Sequence, residues 1–222
     1  MFAALMRLHS SPVLARVFPF AIFVLLTALQ GKLGESSRYW IYGLKTISGA
    51  WMLWTLRSTI PEMRWRFSWE AVMVGVVIFG IWIGLDPFYA KIGKPESEWN
   101  PFASFPTNPS LAWSVVVVRF FAVTLVVPPL EEVFYRSFAY RFVIRQDFQS
   151  VPFNEFKWVP FLATSAVFGL AHHEWLAGFL CGLAYQGLVI RKNRLGDAMT
   201  AHAITNFLLG LWVVGKGQWQ FW

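Results

Sequence analysis

Glu131, Glu132 and Arg136 fall within six residues, directly after an apolar run from Leu111 to Val127 that only Arg119 interrupts. A charge at membrane depth costs about 2.5–3.5 kcal/mol even on the lenient insertion scale, so three together must pair and face a protein interior. Glu132 and Arg136 are four apart, share a helix face and can form an ion pair. Glu131 points about 100° away from Glu132 and has no evident partner. An unpaired carboxylate in an apolar setting tends to hold its proton more tightly, which suits a general base or acid. Of the four histidines, His9 lies in the N-terminal lead and reads as a surface residue, while His172, His173 and His202 lie in or beside apolar runs. His202 and Asn206 are four apart, as are Phe168 and His172, so each pair shares one helix face. A carboxylate with a histidine can position and deprotonate a water, and a second histidine with an Asn amide can hydrogen-bond the oxyanion as it forms. The same Glu131, His172 and His202 could instead hold a divalent metal such as zinc, and the residues alone leave both routes open.

The elements that must position these groups are membrane helices. Of the 222 residues 56% are hydrophobic and only 14% charged, against about 25% charged in a soluble domain. This reads as an all-α, polytopic transmembrane bundle of about seven or eight helices in a single integral membrane domain, 1–222. The apolar runs are Val17 to Gly31, about Tyr39 to Leu56, Ala71 to Leu85, Leu111 to Leu130 continuing as a Glu-Glu helix to about Arg145, Trp158 to Ala171, Trp175 to Ile190 and about Leu195 to Val214. An amphipathic lead, 1–16, precedes them. Between the third and fourth, Tyr89 to Ser110 carries Pro95, Pro101, Pro106 and Pro109 and reads as an ordered loop or re-entrant segment. No cleavage-site pattern follows the first run, so no secretory leader is expected. Trp40, Trp69, Trp99, Trp113, Trp158, Trp175 and Trp212 flank runs and read as an interfacial belt without a catalytic part. Cys181, the single cysteine, excludes an internal disulfide and reads as a small packing residue. The net charge of +7 fits anionic lipid headgroups, not nucleic acid. With the N-terminus in the cytoplasm, eleven Lys and Arg fall on that side (Arg7, Arg16 and Arg141 among them) and five opposite, Lys94 included, as the positive-inside rule requires.

Each polar residue also has a bland reading. A His or Asn in a bundle often serves only as interhelical glue, at about 0.6 kcal/mol. Glu131 and Glu132 could be first-turn acids after a proline start. Glu174 reads as an interfacial cap, Asp197 as a first-turn acid, and Lys45 and Arg119 as snorkelling or internally paired cations. The joint pattern argues for more than this.

Glu131-Glu132-Val133-Phe134-Tyr135-Arg136, then Phe168 to His172, then His202 to Asn206 resemble the motifs Glu-Glu-x-x-x-Arg, Phe-x-x-x-His and His-x-x-x-Asn of the CPBP intramembrane protease family. That family includes the Ras-converting CAAX endopeptidases and bacterial Abi-type proteins. All three motifs match without substitution and in order. The likeness covers about Leu111 to Val214, so 111–214 is expected to be a CPBP-like catalytic core behind N-terminal helices and a Pro-rich loop, 1–110. A looser likeness to the bacterial CAAX prenyl protease-related proteins found with exosortase and PEP-CTERM systems rests on Tyr42–Thr46, Trp82–Pro87 and Trp99–Phe102.

The resemblance implies that Glu131 activates water with His172, that His202 and Asn206 form the oxyanion site, and that Glu132 and Arg136 are a supporting pair, Arg136 near the substrate carboxylate. It leaves open a metallo- or a glutamate-type mechanism. Spacing from Phe168 selects His172, and a one-residue shift would select His173. The expected function is an intramembrane endopeptidase acting on a membrane-anchored peptide or protein, CAAX-like or other, in a bacterial inner membrane. The alternatives are a non-catalytic partner of an export or sorting system and a transporter. A transporter should show matching broken helices in two halves, whereas here the polar residues cluster in one.

Overall fold

The computed structural model describes residues 8–93 and 99–222. Arg7 and the rest of 1–7 in the amphipathic lead, Lys94 and Pro95 lie outside them. Among the described residues the chain is helical throughout, with no strand. Seven long helices run Pro12–Leu29 (α1), Ser37–Leu56 (α2), Trp69–Leu85 (α3), Pro109–Ile144 (α5), Trp158–Leu170 (α6), Trp175–Lys192 (α7) and Gly196–Lys216 (α8), and the one-turn α4, Pro101–Ser104, sits in the Pro-rich loop. The helix starts follow capping chemistry. Ser11, Ser68, Asn100 and Asn108 each accept a backbone N–H of the first turn, and Pro12, Pro101 and Pro109 occupy first-turn positions where a missing N–H costs nothing. Among the described residues four segments are long and apolar enough to cross a membrane: α1, α3 with the turn that follows it (Trp69–Phe88), α5 and α8.

The run from Leu111 continues as the Glu-Glu helix, as expected, and the helix start at Pro128-Pro129 that the first-turn reading needs is not there. α5 is one helix of 36 residues, about 54 Å long, well beyond a hydrocarbon core of about 30 Å. Two π-helical stretches, Ala122–Val126 and Val133–Ala139, carry it past the prolines. Glu131 and Glu132 are therefore mid-helix residues, and the first-turn reading of them fails. The wide π turn also offsets the drift of a four-residue spacing on a 3.6-residue helix, so Arg119, Val123, Val127 and Glu131 can all face one cavity.

α6 is only 13 residues, about 20 Å, and stops inside the bundle. Its end carries His172, and α7 turns back from there. The two helices pack through small residues: a Cβ on Gly169 would come within 2.7 Å of Trp175 O, and one on Gly178 would press on His172 Nδ1 at 3.4 Å. α3 and α8 are packed as closely, with Gly75 against Ala201 and Thr205 Oγ1 donating to Gly75 O at 2.9 Å. Tyr185, Phe168, Leu195 and Met199, all buried, fill the space between these helices. At the other end of the helix pair α1–α5, Glu62 accepts from Arg16 Nε at 2.7 Å and from Ser137 Oγ, and Arg141 lies 3.7 Å away. Arg16 and Arg141 are thus buried ion-pair partners and not free interfacial cations.

Candidate active site

α5, α6 and α8 bring Glu131, His172, His202 and Asn206 to the wall of one cavity of about 180 Å³. His202 Nδ1 lies 2.9 Å from Glu132 Oε1. A carboxylate only accepts, so this nitrogen carries the proton and Nε2 is turned toward Glu131, whose Oε2 is 3.9 Å away. That separation is too long for a hydrogen bond, and Glu131 Oε2 has no hydrogen-bond partner. Glu132 is fully buried, with Arg136 Nε 3.3 Å from its Oε2, which is the i, i+4 pair expected from the sequence. Arg136 is itself buried, lies 4.3 Å from the Phe168 ring centroid and is not on the cavity wall. Its charge balances Glu132 from behind, a different place from one facing a substrate carboxylate.

His172 and His173 separate cleanly. His172 Nδ1 donates to Phe168 O at 2.7 Å, one turn back, which leaves its Nε2 as the basic nitrogen of a ring on the cavity wall. The Phe168 ring lies 4.7 Å from the His172 ring and the Trp82 ring meets it edge-on at 5.6 Å. His173 instead donates to Ile92 O at 2.6 Å and lies outside the cavity. With Ile92 N to His173 O and Trp175 Nε1 to Ala90 O, it straps the segment after α3 onto the α6–α7 turn.

Asn206 Nδ2 donates to Val123 O at 2.8 Å. The carbonyl is free because of the prolines. Val127 N reaches five residues back to Ala122 O, and in that register the next donor would be Pro128, which has none. The bond fixes which way the amide faces and leaves one Nδ2–H available. Tyr185 OH donates to Thr205 Oγ1 at 2.7 Å beside the His202 ring, so α7 and α8 are locked together at the level of the site.

Several residues in or near the wall carry other parts than the bland ones read from the sequence. Glu174 is 8% exposed and lines the cavity, so its side chain is no interfacial cap. Burial pushes its carboxyl above the usual range, with the His173 and His172 rings pulling the other way. Arg119 is an internally packed cation with its guanidinium 4.1 Å from the Trp99 ring centroid and near the Tyr42 and Trp222 rings. Trp40, Trp69, Trp113 and Trp158 are exposed, as a belt residue must be, whereas the belt reading fails for Trp99, which is buried. Trp82 and Trp222 also face the cavity. An aromatic near a helix end carries no sequence mark that distinguishes the two cases.

Among the described residues no three His, Cys, Asp or Glu side chains are placed to hold a metal ion. Glu131, His172 and His202 share a cavity without converging as a ligand set, and no step is routed through a metal.

Residues 112–208 match the model of the Rce1-like family, described as type II CAAX prenyl endopeptidase Rce1-like. This segment is similar to that family. It contains all three motifs, and it meets the likeness to the CPBP proteases drawn from them. No curated protein and no solved structure matches the chain significantly. With its four membrane-length helices, the chain is an integral membrane protein.

Proposed function

We propose that this protein is an intramembrane endopeptidase that hydrolyses a peptide bond of a membrane-anchored substrate with a water activated by Glu131. The observation that carries the reading is the meeting of Glu131, His172, His202 and Asn206, from three helices, on one small cavity within a bundle of membrane helices. Glue residues pair with one another, whereas Glu131 Oε2 has no hydrogen-bond partner, and both histidines stand on the cavity wall with their Nδ1 atoms already bonded.

Water held between Glu131 and His172 Nε2 gives its proton to Glu131 as its oxygen attacks the carbonyl carbon. The oxyanion accepts from the free Nδ2–H of Asn206 and from Nε2–H of His202. For that second bond His202 must be doubly protonated, because its Nδ1–H is committed to Glu132. Glu131, Glu132, Arg136 and a charged His202 then sum to zero charge. Glu131 returns its proton to the leaving amine as the C–N bond breaks.

We further propose a CAAX-like substrate on the strength of the family match, an N-terminus in the cytoplasm of a bacterial inner membrane on the strength of the Lys and Arg distribution, and an exosortase-linked setting on the N-terminal segments alone. The test is cleavage of fluorogenic membrane-anchored peptides, prenylated and unprenylated, in proteoliposomes with and without chelator. The proposal expects cleavage that Glu131→Gln abolishes and chelator leaves intact. Cleavage that survives Glu131→Gln contradicts it, and chelator sensitivity would require a metal brought in by rearrangement of the same residues.

A further inference from the structure

Three aromatic residues on the cavity wall lie outside the family-matched segment: Trp82 on α3, and Phe221 and Trp222 after α8. They reach the cavity by different routes. Trp82, near the end of α3, is 8% exposed and sets its ring edge against the His172 ring. The other two are carried back by a turn. Gly217 ends α8 in the left-handed region (φ 67°), Gln218 Oε1 accepts Trp212 Nε1–H at 2.6 Å, and Trp219 is buried against Val116 and Val213. Trp222 then stacks edge-on with Trp99 at 5.8 Å, over the Arg119 guanidinium. This part of the wall is therefore aromatic and drawn from outside the family-matched segment.

The cavity it closes is about 180 Å³. An engineered apolar cavity of about 150 Å³ is filled by one benzene, and binding sites for larger ligands run from about 300 Å³ upward. A scissile peptide group must occupy part of the space, which leaves room for little more than a methyl or hydroxymethyl side chain.

We propose that Trp82, Phe221 and Trp222 are the specificity wall of this site and restrict one side of the scissile bond to a small side chain such as that of Gly, Ala or Ser. Any lipid group on the substrate then lies outside this cavity. The substrate half of the proposal rests on the peptidase reading, and the wall itself rests on geometry alone.

Cys181 makes the two separable. It is the single cysteine of the chain, is 2% exposed and lines the same cavity, so it reports access without any catalysis. Its thiolate displaces sulfinate from an alkyl methanethiosulfonate and forms a mixed disulfide. In the purified full chain, Trp222→Ala should raise the rate of modification by the benzyl reagent at least tenfold and by the methyl reagent less than threefold. In the same protein, kcat/KM for peptides with Leu or Phe beside the scissile bond should rise at least tenfold relative to the Ala peptide. Phe221→Ala should do the same to a smaller degree, and it replaces Trp222→Ala if that variant fails to melt cooperatively. Unchanged size selectivity toward both reagents and peptides, in a folded variant, overturns the wall. Relaxed reagent selectivity with no peptide cleaved by either protein upholds the wall and overturns the peptidase reading.

Discussion

Two clusters of buried charge in this bundle have opposite characters. In the first, Glu62 holds Arg16, Ser137 and Arg141 together, and Arg16 also donates to Pro12 O while Arg141 donates to Ser137 O and Val151 O. The carboxylate oxygen that faces the arginines is shared among three partners. In the second, Glu132 accepts from His202 and has Arg136 Nε 3.3 Å from its Oε2, while Glu131 beside it lines a cavity, and the Oε2 atoms of both carboxylates are without a hydrogen bond. The same residue types serve both. Partnered charge fixes helices, because removing one member strands the others. Unpartnered charge beside open space is kept at a cost, and that is where chemistry is to be sought.

The comparison yields separable effects. Glu131→Gln should lower peptide cleavage by about 10²–10⁴-fold, the range for loss of a general base, with no loss of thermal stability in detergent. Glu62→Ala should do the reverse, costing about 3–5 kcal/mol of stability because Arg16 and Arg141 lose their counter-charge, while turnover per folded molecule holds. Unfolding followed by circular dichroism, with activity normalised to the folded fraction, checks both. Asn206→Ala should reduce kcat by about 10²–10³-fold as an oxyanion donor is lost. If Asn206 is glue to Val123 O instead, the variant will lose stability and keep its kcat. His173→Ala should change stability by no more than about 0.5 kcal/mol and leave turnover unaltered, since its ring is bonded to Ile92 O away from the cavity. A large loss of kcat in that variant would reverse the assignment of the two adjacent histidines.

The polar half of the site was legible because ionisable groups are rare in apolar runs, so Glu131, His172, His202 and Asn206 stood out with their spacing. The pairing of Glu132 with Arg136 followed from the i, i+4 rule. The role of Glu132 as the partner of His202 did not, because it depends on how α5 and α8 cross. The continuation of α5 to about Arg145 was legible, but how it passes Pro128-Pro129 was not. A π turn and an amide from another helix satisfy the freed carbonyl, and neither is local in sequence. Glu174 and the aromatic wall were hidden for a related reason. Residues at helix ends face solvent, lipid or a cavity according to where the chain goes next, as Trp222 does after the Gly217 turn.

The most direct test of the central contrast sets the two carboxylates side by side. Wild type, Glu131→Gln and Glu62→Gln would be reconstituted in proteoliposomes with one membrane-anchored peptide carrying Ala beside the scissile bond, and cleavage measured per folded molecule. Cleavage by wild type and Glu62→Gln, with none by Glu131→Gln, is the predicted result. Equal cleavage by all three, or a loss confined to Glu62→Gln, would contradict the assignment of chemistry to the unpartnered glutamate.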